Sequence, residues 1–241
     1  MTHVQTYARI AGVLFLISLI GGTFGELIVP TTLIAPQNAA ETASRILAHE
    51  SLFRFGFAGY LLEAVCDVAI ALVFYILLKP VHRNWALFAA FLGLVSTAIF
   101  AVCELFFFVG PVLLRSPAYA GSFSPAQLNA LVYFFVYVYS AGAGLFMVFY
   151  GLASIIRGYL IYRSTYIPRF VGILLMIVGV AFIVKNFTLV LAPAYSWDLL
   201  LLPAPLTVLV LTVWFLWKGV DVQKWNARVL AMRAITDPSL T

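Results

Sequence analysis

The stretch from Pro168 to Leu191 reads PRFVGILLMIVGVAFIVKNFTLVL, and its only charged residues are Arg169 and Lys185. A helix rises about 1.5 Å per residue, so this stretch can cross the roughly 30 Å hydrocarbon core of a bilayer. An apolar stretch of this length predicts a transmembrane helix. The fold class then depends on how often such stretches recur in the chain.

The composition of the whole chain agrees with a membrane protein. The chain has 241 residues, of which 64% are hydrophobic and 10% are charged, and its mean hydropathy is +1.06. A soluble domain carries about 25% charged residues, so this chain has too few charges to face water on all sides. The net charge of +5 comes mainly from basic residues that flank the apolar stretches. The expected partner is therefore a lipid bilayer, and nucleic acid is excluded.

Six apolar stretches reach the length of a membrane span. We predict an all-α fold, a polytopic integral membrane bundle of six transmembrane helices. The predicted spans are residues 8–29, 52–78, 85–109, 125–162, 168–191 and 199–217. They form one transmembrane domain over residues 1–220, and a basic tail over residues 221–241 is expected on the membrane surface.

Prolines and capping residues set the expected helix ends. Pro30 and Pro111 are expected to end the first and third spans, because proline lacks a backbone N–H and disfavours a helical residue before it. Pro203 and Pro205 lie inside the sixth span and predict a kink there. Asn38 is the predicted N-cap of a short helix that ends at His49. Asn84 and Ser124 are the predicted N-caps of the third and fourth spans.

The distribution of lysine and arginine predicts the orientation. One side of the membrane receives the basic residues Arg9, Lys79, Arg83, Arg157, Arg163, Arg169, Lys218, Lys224, Arg228 and Arg233. The other side receives Arg45, Arg54 and Arg115. Because basic loops stay in the cytoplasm, both termini are predicted to be cytoplasmic in the cell (inner) membrane.

Three segments together resemble one protein family. The first is Ala8-Arg-Ile-Ala-Gly-Val-Leu-Phe-Leu16 with Gly25-Glu26-Leu27. The second is Ser51-Leu-Phe-Arg-Phe-Gly56, followed by Cys66-Asp-Val-Ala-Ile-Ala-Leu72. The third is Gly158-Tyr-Leu-Ile-Tyr-Arg-Ser-Thr-Tyr-Ile-Pro-Arg169. They resemble the bacterial multi-pass membrane proteins grouped as domain of unknown function 4386, over about residues 8–220.

The resemblance implies a multi-pass topology in a bacterial inner membrane, and it implies no reaction. In that family the fourth helix often carries histidines, whereas Tyr139 and Ala153 stand at comparable places here. Lys185 stands where the family is expected to have a small polar or acidic residue. A role that needs those histidines is therefore not expected of this chain.

Ionisable residues inside the predicted spans are the candidate site, because a charge in the bilayer core is costly and is usually functional. Glu63 and Asp67 lie four residues apart on one helix face, so one of these carboxyl groups is expected to hold a proton or meet a cation. The other charges fall in the outer halves of their spans. We predict an outward-facing polar cavity, with the candidate ligand- or ion-binding residues Glu26, Arg54, Glu63, Asp67, Glu104 and Lys185.

Three functions stay open at this point. The first is binding or transport of a small molecule or ion in that cavity. The second is a structural or accessory subunit of a larger membrane complex or homo-oligomer, in which the buried charges pair and small-residue stretches form interfaces. These stretches are Gly21-Gly22, Gly142-Ala-Gly144 and Gly172 to Gly179. The third is an intramembrane enzyme acting on a lipid-like substrate.

No motif in the sequence identifies a reaction. The chain lacks HExxH, GxSxG and the P-loop, so the sequence assigns no catalytic residue, and whether the protein is an enzyme stays open. A metal site built from Glu63, Asp67 and Glu104 is a minor alternative, since nothing fixes the spacing of these carboxylates. The sequence names no cofactor.

Overall fold

Helices form all the regular structure of the described chain. The computed structural model describes residues 3–236, without the side chains of Ala120, Ala143 and residues 233–236. A backbone in lipid must satisfy its own N–H and C=O groups, which favours helices. The α-helices are α1 His3–Gly22, α2 Val29–Leu33, α3 Ala39–Ala48, α4 Glu50–Leu78, α5 Arg83–Arg115, α6 Pro117–Ala120, α7 Pro125–Ser164, α8 Arg169–Leu191, α9 Pro203–Trp217 and α10 Val222–Thr236. A π-helical segment, Thr23–Ile28, joins α1 to α2, and two 3-10 turns, Pro193–Tyr195 and Asp198–Leu201, precede α9.

Six helices are long and apolar enough to cross a membrane, which confirms the predicted six-span all-α bundle. They are His3–Leu33, Glu50–Leu78, Arg83–Arg115, Pro125–Ser164, Arg169–Leu191 and Asp198–Trp217. Residues 237–241 of the predicted tail lie outside the described residues, and so does the side chain of Arg233.

The prolines do not end helices where the sequence predicted. Helix α5 continues through Pro111 to Arg115, and the first span continues past Pro30 to Leu33 after its π-helical segment. Both predictions were wrong because a span in lipid re-forms its hydrogen bonds around a proline instead of opening to water. Pro203 and Pro205 produce no kink inside a helix, since α9 begins at Pro203.

Two of the three predicted caps are present. The side chain of Asn38 accepts a hydrogen bond from the Glu41 N–H at 3.0 Å and begins α3. The Ser124 hydroxyl accepts from the Gln127 N–H, and the Gln127 side chain accepts from the Ser124 N–H, which is a capping box at α7. The prediction for Asn84 was wrong, because His82 Nδ1 accepts from the Trp85 N–H and α5 already begins at Arg83.

The chain folds into two compact units. Unit 1 comprises the described residues of Met1–Leu19, Cys66–Ser96 and Met147–Thr241, and unit 2 comprises Ile20–Val65 and Thr97–Phe146. The core of unit 1 includes Phe15, Phe74 and Phe215. The core of unit 2 is rich in aromatic rings, and its most buried members include Phe53, Tyr60 and Phe107.

Glycines allow close helix contacts within each unit. In unit 1, a Cβ on Gly151 would lie 2.7 Å from the carbonyl oxygen of Gly179, and one on Gly158 would lie 2.5 Å from that of Gly172. In unit 2, a Cβ on Gly21 would lie 3.3 Å from the Gly59 carbonyl oxygen. Two of the stretches that the subunit hypothesis assigned to outside partners therefore pack inside the chain.

The start of the C-terminal tail is attached to unit 1. The Trp225 indole donates to the Leu77 carbonyl oxygen at 3.3 Å, and the Asp221 N–H donates to the Tyr166 carbonyl oxygen at 3.0 Å. The Tyr166 hydroxyl donates to the same Leu77 carbonyl at 2.6 Å, and burial raises the pKa of Tyr166 above its ordinary value. These hydrogen bonds hold the start of helix α10 against the rest of unit 1.

Candidate functional site

Glu104 is the most deeply buried acidic residue of unit 2. Its side chain lies on α5, and the residue is 3% exposed. Because α5 continues to Arg115, Glu104 lies about 17 Å from that helix end. Among the described residues, neither carboxyl oxygen of Glu104 has a hydrogen-bond partner.

Tyr60 and Tyr139 form a hydrogen-bonded pair that interacts electrostatically with this carboxyl group. The Tyr60 and Tyr139 hydroxyl oxygens are 2.8 Å apart, and the Tyr60 hydroxyl also donates to the carbonyl oxygen of Gly25. A carbonyl oxygen only accepts, so the single Tyr60 proton is used there and Tyr139 must donate to Tyr60. Both phenol groups interact electrostatically with Glu104.

Pro30 explains why the Gly25 carbonyl is open to a side chain. In the π-helical segment the Val29 N–H donates to the Phe24 carbonyl, five residues back. The next donor in that pattern would be residue 30, which is proline and has no N–H. The carbonyl of Gly25 is thus left for Tyr60, whose ring would come within 3.0 Å of a Cβ on Gly25. π-helical segments occur frequently at functional sites.

Two further carboxylates surround this group. Glu26, in the π-helical segment, interacts electrostatically with Glu104 and with both tyrosines. Glu63, one turn after Tyr60 on α4, interacts with Tyr139. A Cβ on Gly22 would lie 3.0 Å from a carboxyl oxygen of Glu63, so the glycine makes room for that carboxyl group. Of the six candidate residues, Glu26 thus interacts with Glu104 directly, and Glu63 interacts with Tyr139 of the tyrosine pair.

The arginines of unit 2 are engaged elsewhere. Arg54 is exposed on the first turn of α4 and pairs with Glu50 at 2.7 Å. Arg115 pairs with the same carboxylate, and Arg45 pairs with Glu41. Unit 2 contains no lysine, and its arginines are Arg45, Arg54 and Arg115. Each of them is bound to an acidic residue outside the Glu104 group.

Asp67 lies in unit 1 and interacts electrostatically with Arg157 of α7. Arg157 is 5% exposed, and its guanidinium lies 5.5 Å from the centre of the Phe74 ring. A Cβ on Gly93 would come 2.4 Å from an Arg157 nitrogen, so the guanidinium group packs closely against this glycine. The sequence analysis counted Arg157 among the flanking basic residues, whereas the structure buries its side chain inside unit 1.

Lys185 forms an ion pair with Asp198, at 3.5 Å. The lysine is mostly buried on α8, whereas Asp198 is almost fully exposed in the 3-10 turn that follows. Sequence analysis gave Asp198 no role. The neighbouring Asn186 is buried, and its amide donates to the carbonyl oxygen of Phe182 in its own helix.

The chemistry of the Glu104 group is that of an oxygen site. It offers carboxyl, phenol and carbonyl oxygens, which suit a proton or a hard cation. Within the described residues, no three His, Cys, Asp or Glu side chains are placed to hold a metal ion, so the carboxylate metal site considered from the sequence is not formed there. The sequence missed Tyr60, and its signal was its position one turn before Glu63.

Comparisons with known proteins identify a family. The family described as domain of unknown function (DUF4386) matches residues 10–219. A relative from Archaeoglobus fulgidus, described as an uncharacterized protein, is 24% identical over 130 residues. That alignment covers 54% of this chain and 64% of the relative, so the chain spans less than two thirds of that protein. No solved structure matches.

Proposed function

The chain belongs to the family described as domain of unknown function (DUF4386), whose description names no reaction, and from the residues of the chain we propose that it exchanges a small monovalent cation for a proton across the membrane. Glu104 is the residue that binds the cation or the proton. The proposal sharpens the expectation of a small-molecule or ion binding and transport protein.

The observation that carries this proposal is the buried Glu104 carboxyl group. An ionised carboxylate without hydrogen bonds in an apolar environment costs several kcal/mol. Among the described residues no donor hydrogen-bonds to either of its oxygens. The group is therefore stable when it holds a proton or when a cation sits beside it. Alternation between these two states is what a cation–proton exchanger requires.

The charge balance of unit 2 favours a cation over an anion as the ligand. Unit 2 contains five acidic residues and three basic ones. All three arginines are bound to Glu41 or Glu50. Unit 2 therefore has an excess of two acidic residues, and this net negative charge favours a positive ligand.

The orientation of the tyrosine hydroxyls serves both states of Glu104. Tyr139 donates its proton to Tyr60, so the lone pairs of the Tyr139 oxygen remain able to accept. In this proposal a movement of the Glu104 side chain lets its protonated form donate to this oxygen, and a cation that replaces the proton uses the same oxygen as a ligand. Tyr60 cannot rotate away without giving up the Gly25 carbonyl.

The other candidate residues receive structural roles in this proposal. Arg54 and Lys185 are held in ion pairs with Glu50 and Asp198. Asp67 neutralises part of the charge of the buried Arg157. Glu26 and Glu63 help to attract the cation toward Glu104.

Labelling with dicyclohexylcarbodiimide tests the proposal. This apolar reagent adds to a protonated carboxyl group, and mass spectrometry of the digested protein locates the adduct. We expect an adduct on Glu104 that decreases when sodium or potassium replaces choline in the buffer, because a bound cation displaces the proton. Glu104→Gln removes the adduct. Glu41→Gln, which alters an exposed ion pair of the same unit, is the matched control and leaves the adduct unchanged.

Two outcomes contradict the proposal. One is a Glu104 that does not react at any pH in the folded protein. The other is an adduct whose yield is the same in sodium, potassium and choline, since the carboxyl group would then hold a proton without exchanging it for these cations.

We also propose that both termini lie in the cytoplasm of a bacterial cell. With Arg157 moved from the flanking residues into the interior, basic residues still lie mainly on the side of the two termini. A reporter active only in the cytoplasm, fused after residue 241, should therefore be active. Activity of a reporter that requires export, fused at the same place, would contradict this orientation.

A further inference from the structure

Two cavities of unit 1 adjoin at the end of α9. The first, of about 370 Å³, is an apolar groove lined by Leu209, Val210, Val213, Trp214, Trp217 and Lys218. The second, of about 430 Å³, lies among the α7–α8 turn, the end of α9 and the start of α10. Both are lined by Trp214 and Lys218, so an apolar groove along a membrane-spanning helix and a more polar pocket meet at these two residues.

Lys218 supplies the positive charge at this junction. Lys224, which also lines the polar pocket, pairs with Asp221 at 3.1 Å. Lys218 pairs with no carboxylate of the described residues, and its ammonium group lies 5.3 Å from the centre of the Trp217 ring. An anion in the polar pocket would therefore find one ammonium group not already neutralised.

The turn that carries Lys218 is held in a fixed conformation. Gly219 has a φ of 69°, which suits glycine, and its N–H donates to the Trp214 carbonyl. The Gln5 amide donates to the Lys218 carbonyl oxygen at 2.9 Å and accepts from the Val220 N–H at 3.1 Å. The Trp214 indole donates to the Gly219 carbonyl oxygen at 3.0 Å. The position of the lysine relative to both cavities is thus set before any ligand arrives.

We infer that this paired cavity binds one anionic phospholipid. An acyl chain lies in the groove beside Leu209 and Val213, and the phosphate group lies in the polar pocket at Lys218. The match rests on charge and polarity, since the ligand must have an apolar chain and a negative head at the membrane interface. Tryptophan side chains, such as those of Trp214 and Trp217, are enriched at the interface between the membrane and water. This inference is independent of the proposed exchange at Glu104.

Native mass spectrometry with two lipids tests the inference. The purified full chain in detergent is given phosphatidylglycerol and phosphatidylcholine with identical acyl chains. We expect tighter binding of phosphatidylglycerol, and a roughly fivefold loss of its affinity in Lys218→Gln with no change for phosphatidylcholine. Lys79→Gln is the matched control. Lys79 also contacts an aromatic ring, that of Tyr75, and it lines neither cavity.

A second variant tests the acyl-chain groove. Val213→Trp fills the groove at an exposed position, so the fold should tolerate it and the binding of both lipids should fall. Equal binding of the two lipids to the wild type, or an equal loss in Lys79→Gln, would overturn the inference. Displacement of phosphatidylglycerol by glycerol phosphate would overturn it too, since the polar pocket would then bind a free phosphate without need of the groove.

Discussion

The hydroxyl oxygens of Tyr60 and Tyr139 lie 2.8 Å apart, and Tyr139 is the donor between them. The direction follows from the Tyr60 proton, which is used by the Gly25 carbonyl. The two rings are not equivalent as a result. Among the described residues, Tyr60 takes part in two hydrogen bonds and Tyr139 takes part in one.

This difference predicts unequal effects of removing each hydroxyl. Tyr60→Phe leaves the Gly25 carbonyl and the Tyr139 hydroxyl without partners, so we expect a loss of about 2 kcal/mol of stability, against about 1 kcal/mol for Tyr139→Phe. The measurement is the unfolding of both variants in detergent or lipid discs. A larger loss in Tyr139→Phe would show that the donor has been assigned wrongly.

Pro30 should couple to Tyr60 energetically. Pro30→Ala restores an N–H that can donate to the carbonyls of the π-helical segment, so the Tyr60 hydroxyl is no longer needed at Gly25. We expect Tyr60→Phe to cost less in the Pro30→Ala background, with a coupling of about 1 kcal/mol in the double-mutant cycle. Pro111→Ala, on α5 of the same unit, serves as the control and should show no coupling. Additivity of Pro30→Ala and Tyr60→Phe would mean that the proline does not open the Gly25 carbonyl.

Gly179 should tolerate no side chain. A Cβ there would lie 2.5 Å from the carbonyl oxygen of Gly151, so Gly179→Ala must separate α7 from α8. We expect a loss of about 1–3 kcal/mol, as for other overpacked sites. Gly59→Ala is the comparison, since its Cβ would have an ordinary contact of 3.5 Å, and it should be close to neutral. Equal melting temperatures of these two variants in detergent would contradict the close helix contact.

Asp221 predicts a loss of order at the start of α10 in acid. The backbone N–H of Lys224 and then its ammonium group lower the pKa of Asp221 below its ordinary value near 3.8. Because the pKa of Asp221 is lower in the folded protein, the ionised carboxylate that accepts from the Lys224 N–H stabilises the start of α10 at neutral pH. This stabilisation is lost as the pH falls below 3.8 and through the folded pKa. Trp225 fluorescence should report the change, and Asp221→Asn should remove this acid transition. If Asp221→Asn shows the same transition as the wild type, another group causes it.

The sequence predicted the six spans because the bilayer itself sets the length of a helix. The predicted helix ends at Pro30 and Pro111 were wrong, because the rule that proline ends a helix comes from helices in water and was applied to helices in lipid. There neighbouring groups, such as the Tyr60 hydroxyl, donate hydrogen bonds to the carbonyl oxygens that proline leaves open.

The acidic candidate residues were chosen from charge alone, and Tyr60 was not among the residues chosen. Glu26, Glu63 and Glu104 are conspicuous in apolar helices, whereas Tyr60 looks like any aromatic residue near a membrane span. Arg157 was placed in the cytoplasmic flank because basic residues near helix ends usually reach toward water. Only the packing of α7 against Gly93 and Phe74 shows that it stays inside.

Ion exchange in reconstituted vesicles tests the central claim most directly. Vesicles that hold the protein and a pH-sensitive dye are diluted into sodium or potassium, with choline as the reference cation. We predict that the vesicle interior becomes more alkaline with sodium or potassium in the wild type, and that Glu104→Gln abolishes this change while Glu41→Gln does not. A wild type that behaves like protein-free vesicles, or a Glu104→Gln variant as active as the wild type, would contradict cation–proton exchange at Glu104.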